Sequence, residues 1–202
     1  MSRLIWFALA LVIVSVVTAY IWERKTRVKL PVLSSIPDFT LTNQFNEVVS
    51  LETLSNEVWV ADIIFTRCPM QCLKMSRQMS QLQEKLPRER VRLVSLTADP
   101  EFDSPMVLKQ YGARFGASGH RWLFLTGPRA EVNRLALEGL KLSVQENDPA
   151  NRTTPADLFI HSTYFVLIDK AGRLRAVFDS DKEGWEKNLV SASKNLLLEV
   201  RP

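Results

Sequence analysis

The sequence predicts an α/β sandwich, a central sheet flanked by helices, preceded by one transmembrane helix. Three observations predict it. Apolar runs of strand length alternate with stretches whose apolar residues recur at helical spacing, an order that folds as layered sheet and helices. The last two strand-like runs read as a hairpin ahead of the final helix. The first 29 residues differ in kind from the rest, with an uncharged apolar stretch from Leu4 to Trp22, close to the ~20 residues a membrane-spanning helix needs.

That first segment, 1–29, is expected to be an uncleaved membrane anchor with a basic flank. The competing reading is a signal peptide cut near Val17-Thr18-Ala19; the apolar run exceeds the usual signal-peptide core, which favours the anchor. More Lys and Arg follow the run than precede it, which by the positive-inside rule would hold the following domain in the cytoplasm. The chemistry of the cysteines, below, argues instead for a domain on the outer side. The 202 residues carry a formal charge of +4. Residues 1–29 hold five of the 26 Lys+Arg and one of the 22 Asp+Glu, leaving 21 of each in the remainder. A neutral domain has no basic face for phosphate, so nucleic acid is excluded as a partner.

Residues 30–37, with Pro31 and Pro37 around Ser34 and Ser35, read as a linker, and 38–202 as the domain. Phe39–Leu41 and Val48–Leu51 alternate like a short hairpin. Trp59–Phe65 is the nearly continuous apolar run of a strand buried on both faces. Pro69 suits a first helical turn, and Cys72, Met75, Met79, Leu82 and Leu86 make an apolar stripe at helical spacing. Val91–Leu96 is a second buried strand. Ser104 ahead of Pro105 caps a helix carrying Val107, Leu108, Tyr111 and Phe115. Trp122–Leu125 reads as a strand, and Val132, Leu135 and Ala136 mark another helix. Gln145–Asp157 is polar, with two prolines, and reads as a long loop of the kind that carries function. Ser162–Ile168 and Leu174–Phe178 form strands joined through Asp169-Lys170-Ala171-Gly172, and a last helix runs from about Lys182 to Leu198.

The chemistry concentrates in Phe65-Thr66-Arg67-Cys68-Pro69-Met70-Gln71-Cys72. A CxxxC pair on one helical turn puts both sulfurs on one face, able to close as a disulfide or to grip one soft metal ion. A purely structural bridge over so small a loop gains only about 2 kcal/mol of chain entropy. A helix N-terminus favours thiolate, the form that is both nucleophile and ligand, and Arg67 adds positive charge beside Cys68. Two thiolates and an imidazole make a soft site of low coordination number that suits copper, whereas structural zinc normally takes four protein ligands. The two histidines are His120, in a Gly-rich turn and expected to be solvated, and His161, at a strand mouth beside the long loop. Met75 and Met79 fall on the core stripe, leaving Met70 as the methionine placed to touch an ion at the cysteines. Asp62, an acid inside an apolar strand, has no account in the sequence beyond a buried hydrogen bond or a strand edge.

Ile36-Pro37-Asp38-Phe39-Thr40-Leu41, the CxxxC block, Leu96–Asp103, Trp122–Gly127, His161-Ser162 and Leu167–Gly172 stand in an order that resembles the Sco/SenC family. That resemblance, over about residues 36–180, implies a thioredoxin-like sandwich with a mixed sheet and an N-terminal hairpin. It implies a membrane-anchored copper chaperone for cytochrome c oxidase assembly. It implies Cys68, Cys72 and His161 as copper ligands and Asp99 close to the site, with Cys68 and Cys72 also a redox-active dithiol. The partners implied are a cytochrome c oxidase copper-site subunit or another copper protein, on the periplasmic or cell-surface side. Leu73 stands where the family usually has proline. The chief rival is an extracytoplasmic thiol-disulfide oxidoreductase that reduces a metal-receiving partner's cysteines. The usual redox spacing is CxxC, and His161 takes the place before Ser162 where such enzymes carry a cis proline. Peroxide reduction, which would call for a Thr three residues before the cysteine, and a plain tethering module are the lesser alternatives.

Overall fold

The computed structural model describes residues 2–25, 29–87, 90–142, 144–146, 159–161 and 163–199. Helix α1 (Ser2–Lys25) forms where the sequence predicts it. Its described side chains, residues 5–9 and 11–18, are exposed, among them Trp6, Phe7, Leu11, Val12 and Val16. The hydroxyls within it bond back into the helix, Ser15 to the Val12 carbonyl and Thr18 to the Val14 carbonyl, each at 2.8 Å. Among the described residues no helix is long and apolar enough to cross a membrane.

The domain is built on a mixed sheet. Its strands are β1 (Ser34–Ser35), β2 (Thr40–Asn43), β3 (Val48–Ser50), β4 (Val58–Ile64), β5 (Val91–Thr97), β6 (Trp122–Thr126), β9 (Tyr164–Ile168) and β10 (Arg173–Asp179), in the order β1-β10-β9-β4-β5-β6-β2-β3. β4, β5 and β6 run parallel; the other pairings are antiparallel. The parallel centre explains the runs of Val, Ile and Leu: every residue of β4 is buried, as strands covered on both faces must be. Helix α2 (Gln71–Lys85) packs on β4 through Cys72, Met75, Met79 and Leu82, and α5 (Trp185–Leu198) lies beside it, its Trp185 stacked on Phe165 at 4.9 Å. α3 (Pro105–Arg114) covers β6, and α4 (Arg129–Arg134) continues into a π-turn over Leu135–Gly139. β7 (Val144–Glu146) and β8 (Phe159–His161) form a separate two-stranded ribbon, with Val144 opposite His161.

Four local expectations are corrected. α2 begins at Gln71, so Pro69 sits in a loop ahead of it; Met70, at φ −130° and ψ −67°, leaves the helical path. The final helix begins at Trp185, because Gly184 (φ +75°) turns the chain in the left-handed region that glycine tolerates. The long loop is shorter at its start, since Gln145 and Glu146 pair with β8; the rest of it, from 147 to 157, lies outside the described residues. The segment read as a linker carries β1 on the sheet edge and buries Ile36 in the core. The buried Arg175 guanidinium holds it there, donating to the Leu30 carbonyl (2.6 Å) and the Pro31 carbonyl (3.0 Å) while pairing with Asp169 and Glu199.

Candidate metal centre

The apolar run of β4 delivers the chain to a turn at its C-terminal end, where the Cys68 N–H donates to the Phe65 carbonyl at 3.2 Å. This turn, rather than one helical turn of α2, brings the sulfurs together. Cys68 lies in the loop and Cys72 is the second residue of the helix. Their closeness is shown by the Cys72 N–H, which donates to Cys68 Sγ at 3.4 Å; the Phe65 N–H donates to Cys72 Sγ, also at 3.4 Å. Both cysteines are buried, and no disulfide joins them. The Cys68 sulfur beside it, then burial, push the Cys72 thiol up and keep its proton in place. A helix N-terminus alone was expected to do the opposite; in a dry pocket a second sulfur and lost hydration outweigh it.

Two loops are tied together around the pair. Arg67 donates to Asp99 Oδ2 through Nε at 3.0 Å and through Nη2, and lies over the Phe102 ring at 4.3 Å. Asp99 is thus beside the cysteine loop, and its described contact is the guanidinium. The Arg67 charge is matched by Asp99, not left open toward the sulfurs. The more deeply set tie is Asp103, which accepts the Thr66 N–H (3.1 Å), the Thr66 hydroxyl and the Thr97 hydroxyl. Burial pushes the Asp103 carboxyl up against these hydrogen bonds. Its role was missed in the sequence, where the one signal is an acid closing the Asp99–Asp103 segment just ahead of a capped helix.

Beneath the site lies the acid that the sequence left unexplained. Asp62, wholly buried on β4, accepts from the Ser95 hydroxyl at 2.6 Å, which in turn accepts from the Trp122 indole N–H at 3.0 Å. Its other oxygen, Oδ2, has no hydrogen-bond partner. Burial pushes this carboxyl up to about 7. Above it, the Tyr111 hydroxyl binds α3 to α2, lying 2.9 Å from Ser76 Oγ and donating to the Cys72 carbonyl at 3.3 Å.

Of the predicted ligands, the described contacts join Cys68 to Cys72. The backbone of His161 lies in β8, and its side chain is outside the described residues. Among the described residues no group of three or more His, Cys, Asp or Glu converges to hold a metal. His120 is solvated, as expected, and pairs with Glu47 at 2.9 Å. Met75 and Met79 are core, whereas Met70 is 80% exposed.

A strand that ends at a buried CxxxC pair, on a mixed sheet flanked by helices, defines an α/β sandwich with two neighbouring cysteines at the turn after that strand. The family comparison makes this specific. The SCO1/SenC sequence model matches residues 31–197, and a SCO1 protein homolog from Bacillus subtilis is 37% identical over 151 residues, 73% of this chain and 75% of that protein. The chain belongs to the SCO1/SenC family. Its fold is similar to that of BsSco, a member of the Sco family of cytochrome c oxidase assembly proteins in which a disulfide switch was identified, with TM-score 0.73, 32% identity and coverage of 86% of this chain and all of that one. Yeast Sco1 with copper bound shares the fold at TM-score 0.69 and 22% identity, over 84% of this chain and 91% of that one.

Proposed function

We propose that this protein is a copper-binding metallochaperone that delivers copper to a cytochrome c oxidase copper centre, with Cys68, Cys72 and His161 as ligands. The observation that carries this reading is the pair of cysteine sulfurs held side by side in a dry pocket. Such a pocket excludes hard ions, which keep their water, and suits a soft one that thiolate and imidazole can strip. Copper binding displaces the thiol protons, and an acceptor with thiolates or imidazoles of its own takes the ion by ligand exchange. Asp103 and the Arg67–Asp99 pair position the cysteine loop so that both sulfurs meet one ion. The copper-bound yeast relative and the oxidase-assembly role named for BsSco support the metal and the destination.

On this reading the domain lies outside the cytoplasm, held at the membrane through the segment 1–29. Support comes from the charge-free run Leu4–Trp22 and from the large apolar side chains that α1 exposes, a surface that needs a lipid or protein partner. A SCO1/SenC family lipoprotein from Bacillus anthracis has the same fold at TM-score 0.72 and 27% identity.

Titrating the reduced protein with Cu(I), beside Cys68→Ser and His161→Ala, tests this. One ion per chain is expected for the parent, none retained by Cys68→Ser, and weakened retention by His161→Ala; unchanged retention by His161→Ala would refute the ligand set. A second reading, thiol-disulfide exchange with a metal-receiving partner, is favoured by the closeness of the two cysteines, the Cys72 N–H donating to Cys68 Sγ at 3.4 Å, and by the disulfide switch of BsSco. It predicts that His161→Ala spares disulfide exchange.

A further inference from the structure

The cysteines that would hold copper are closed to solvent. Cys72 has no exposed surface and Cys68 retains 4%. Each sulfur already accepts a backbone N–H. An ion arriving on a donor must therefore be held outside before it is passed in, since low-coordinate Cu(I) changes ligands by adding the incoming one before losing the old. Among the described residues beside Cys68, the charged groups at this mouth are paired with each other. Arg67, next to Cys68, is itself a cation, and the nearby Asp99 carboxylate is occupied by it.

Between the two cysteines the chain instead presents a soft, uncharged donor. Met70 lies at the non-helical position that caps α2, makes no capping hydrogen bond, and stands 80% exposed, whereas Met75 and Met79 of the same helix are fully buried. A thioether selects Cu(I) over hard ions and carries no charge to lose. Its flexible stem suits a group that must move between solvent and a buried neighbour.

We propose that Met70 is the entry ligand for Cu(I), holding the ion at the surface and passing it inward to Cys68 and Cys72. As the ion moves, the copper–thioether bond breaks, a copper–thiolate bond forms at Cys68, and the Cys68 thiol proton goes to water. Copper remains Cu(I) and no electron is transferred. This rests on the copper reading above and adds a residue to it.

The test uses the full-length reduced protein in detergent under anaerobic conditions, with Cu(I) supplied as its bicinchoninate complex, whose colour fades as copper leaves. Met70→Leu keeps the size and apolarity of an exposed side chain. It is expected to slow uptake about tenfold, the effect of one weak bond lost from the transition state. Met106→Leu, at a methionine 69% exposed on α3, is expected to match the parent. In selenomethionine-labelled parent frozen early in uptake, copper X-ray absorption should show a copper–selenium distance that Met70→Leu lacks. Uptake by Met70→Leu at the parent's rate, or no copper–selenium contact in the frozen parent, overturns the entry role while leaving the cysteine site standing. A parent that takes no copper from the complex overturns both.

Discussion

Asp62→Asn should make the protein more stable above neutral pH and remove the part of the pH dependence between about pH 4 and pH 7 that this carboxyl contributes. The carboxyl is wholly buried, one oxygen has a single neutral donor in Ser95, and the other has none. Burial therefore raises it from an ordinary 3.8 to about 7 in the folded protein. An acid raised in this way binds its proton more tightly folded than unfolded. Folding is not penalised below about pH 4, where both states hold the proton, and loses stability as pH climbs to about 7, above which the loss is complete. Three units at about 1.4 kcal/mol each make that loss about 4 kcal/mol. Asparagine keeps the shape and the acceptor for Ser95 but cannot ionise, so it should match the parent near pH 4 and exceed it by up to about 4 kcal/mol at pH 8. Urea unfolding across pH 4–8, followed by tryptophan fluorescence, reads this directly. Parallel curves for parent and variant over the whole range would refute the claim that Asp62 is a buried, ionisable acid.

Removing the Asp103 carboxylate in Asp103→Ala leaves the Thr66 N–H and the Thr66 and Thr97 hydroxyls without their acceptor, and should cost about 2–3 kcal/mol in urea midpoint measurements. Copper retention should fall with it, since the same carboxylate holds the cysteine loop. Gly112→Ala should destabilise by about 1–3 kcal/mol although alanine is the better helix former, because its Cβ would stand 2.7 Å from Phe124 Cε2; a thermal scan decides the sign. Arg175→Met should destabilise by about 3–5 kcal/mol, as Asp169 loses a buried partner and the carbonyls of Leu30 and Pro31 lose their donor. Limited proteolysis should then cut between α1 and β2 where the parent resists.

Much of the fold was legible because burial writes itself into local pattern. The mostly apolar runs at Trp59–Phe65 and Val91–Leu96 are buried central strands, β4 and β5, and the Met75–Met79–Leu82 stripe is the inner face of α2. Ser104 caps α3 as its type suggests, accepting the Val107 N–H at 3.4 Å. The site was legible only as far as chain neighbours reach. CxxxC announced a pair of sulfurs, yet the placement on a helical turn was wrong, because the start of α2 depends on how the Phe65–Cys68 turn closes beneath it.

By itself the sequence determined the order of elements, the sulfur pair and the family, since each rests on residue types at short spacing. Tertiary structure decided what those residues face. It paired Arg67 with Asp99 and Thr66 with Asp103 across 32 and 37 positions, set Ser95 beneath Asp62, and folded the expected linker onto the edge of β10. The physical reason is that a hydrogen bond or an ion pair acts over a few ångströms of space. Which distant residues come that close is settled by the packing of the whole sheet, not by the pattern of any one segment.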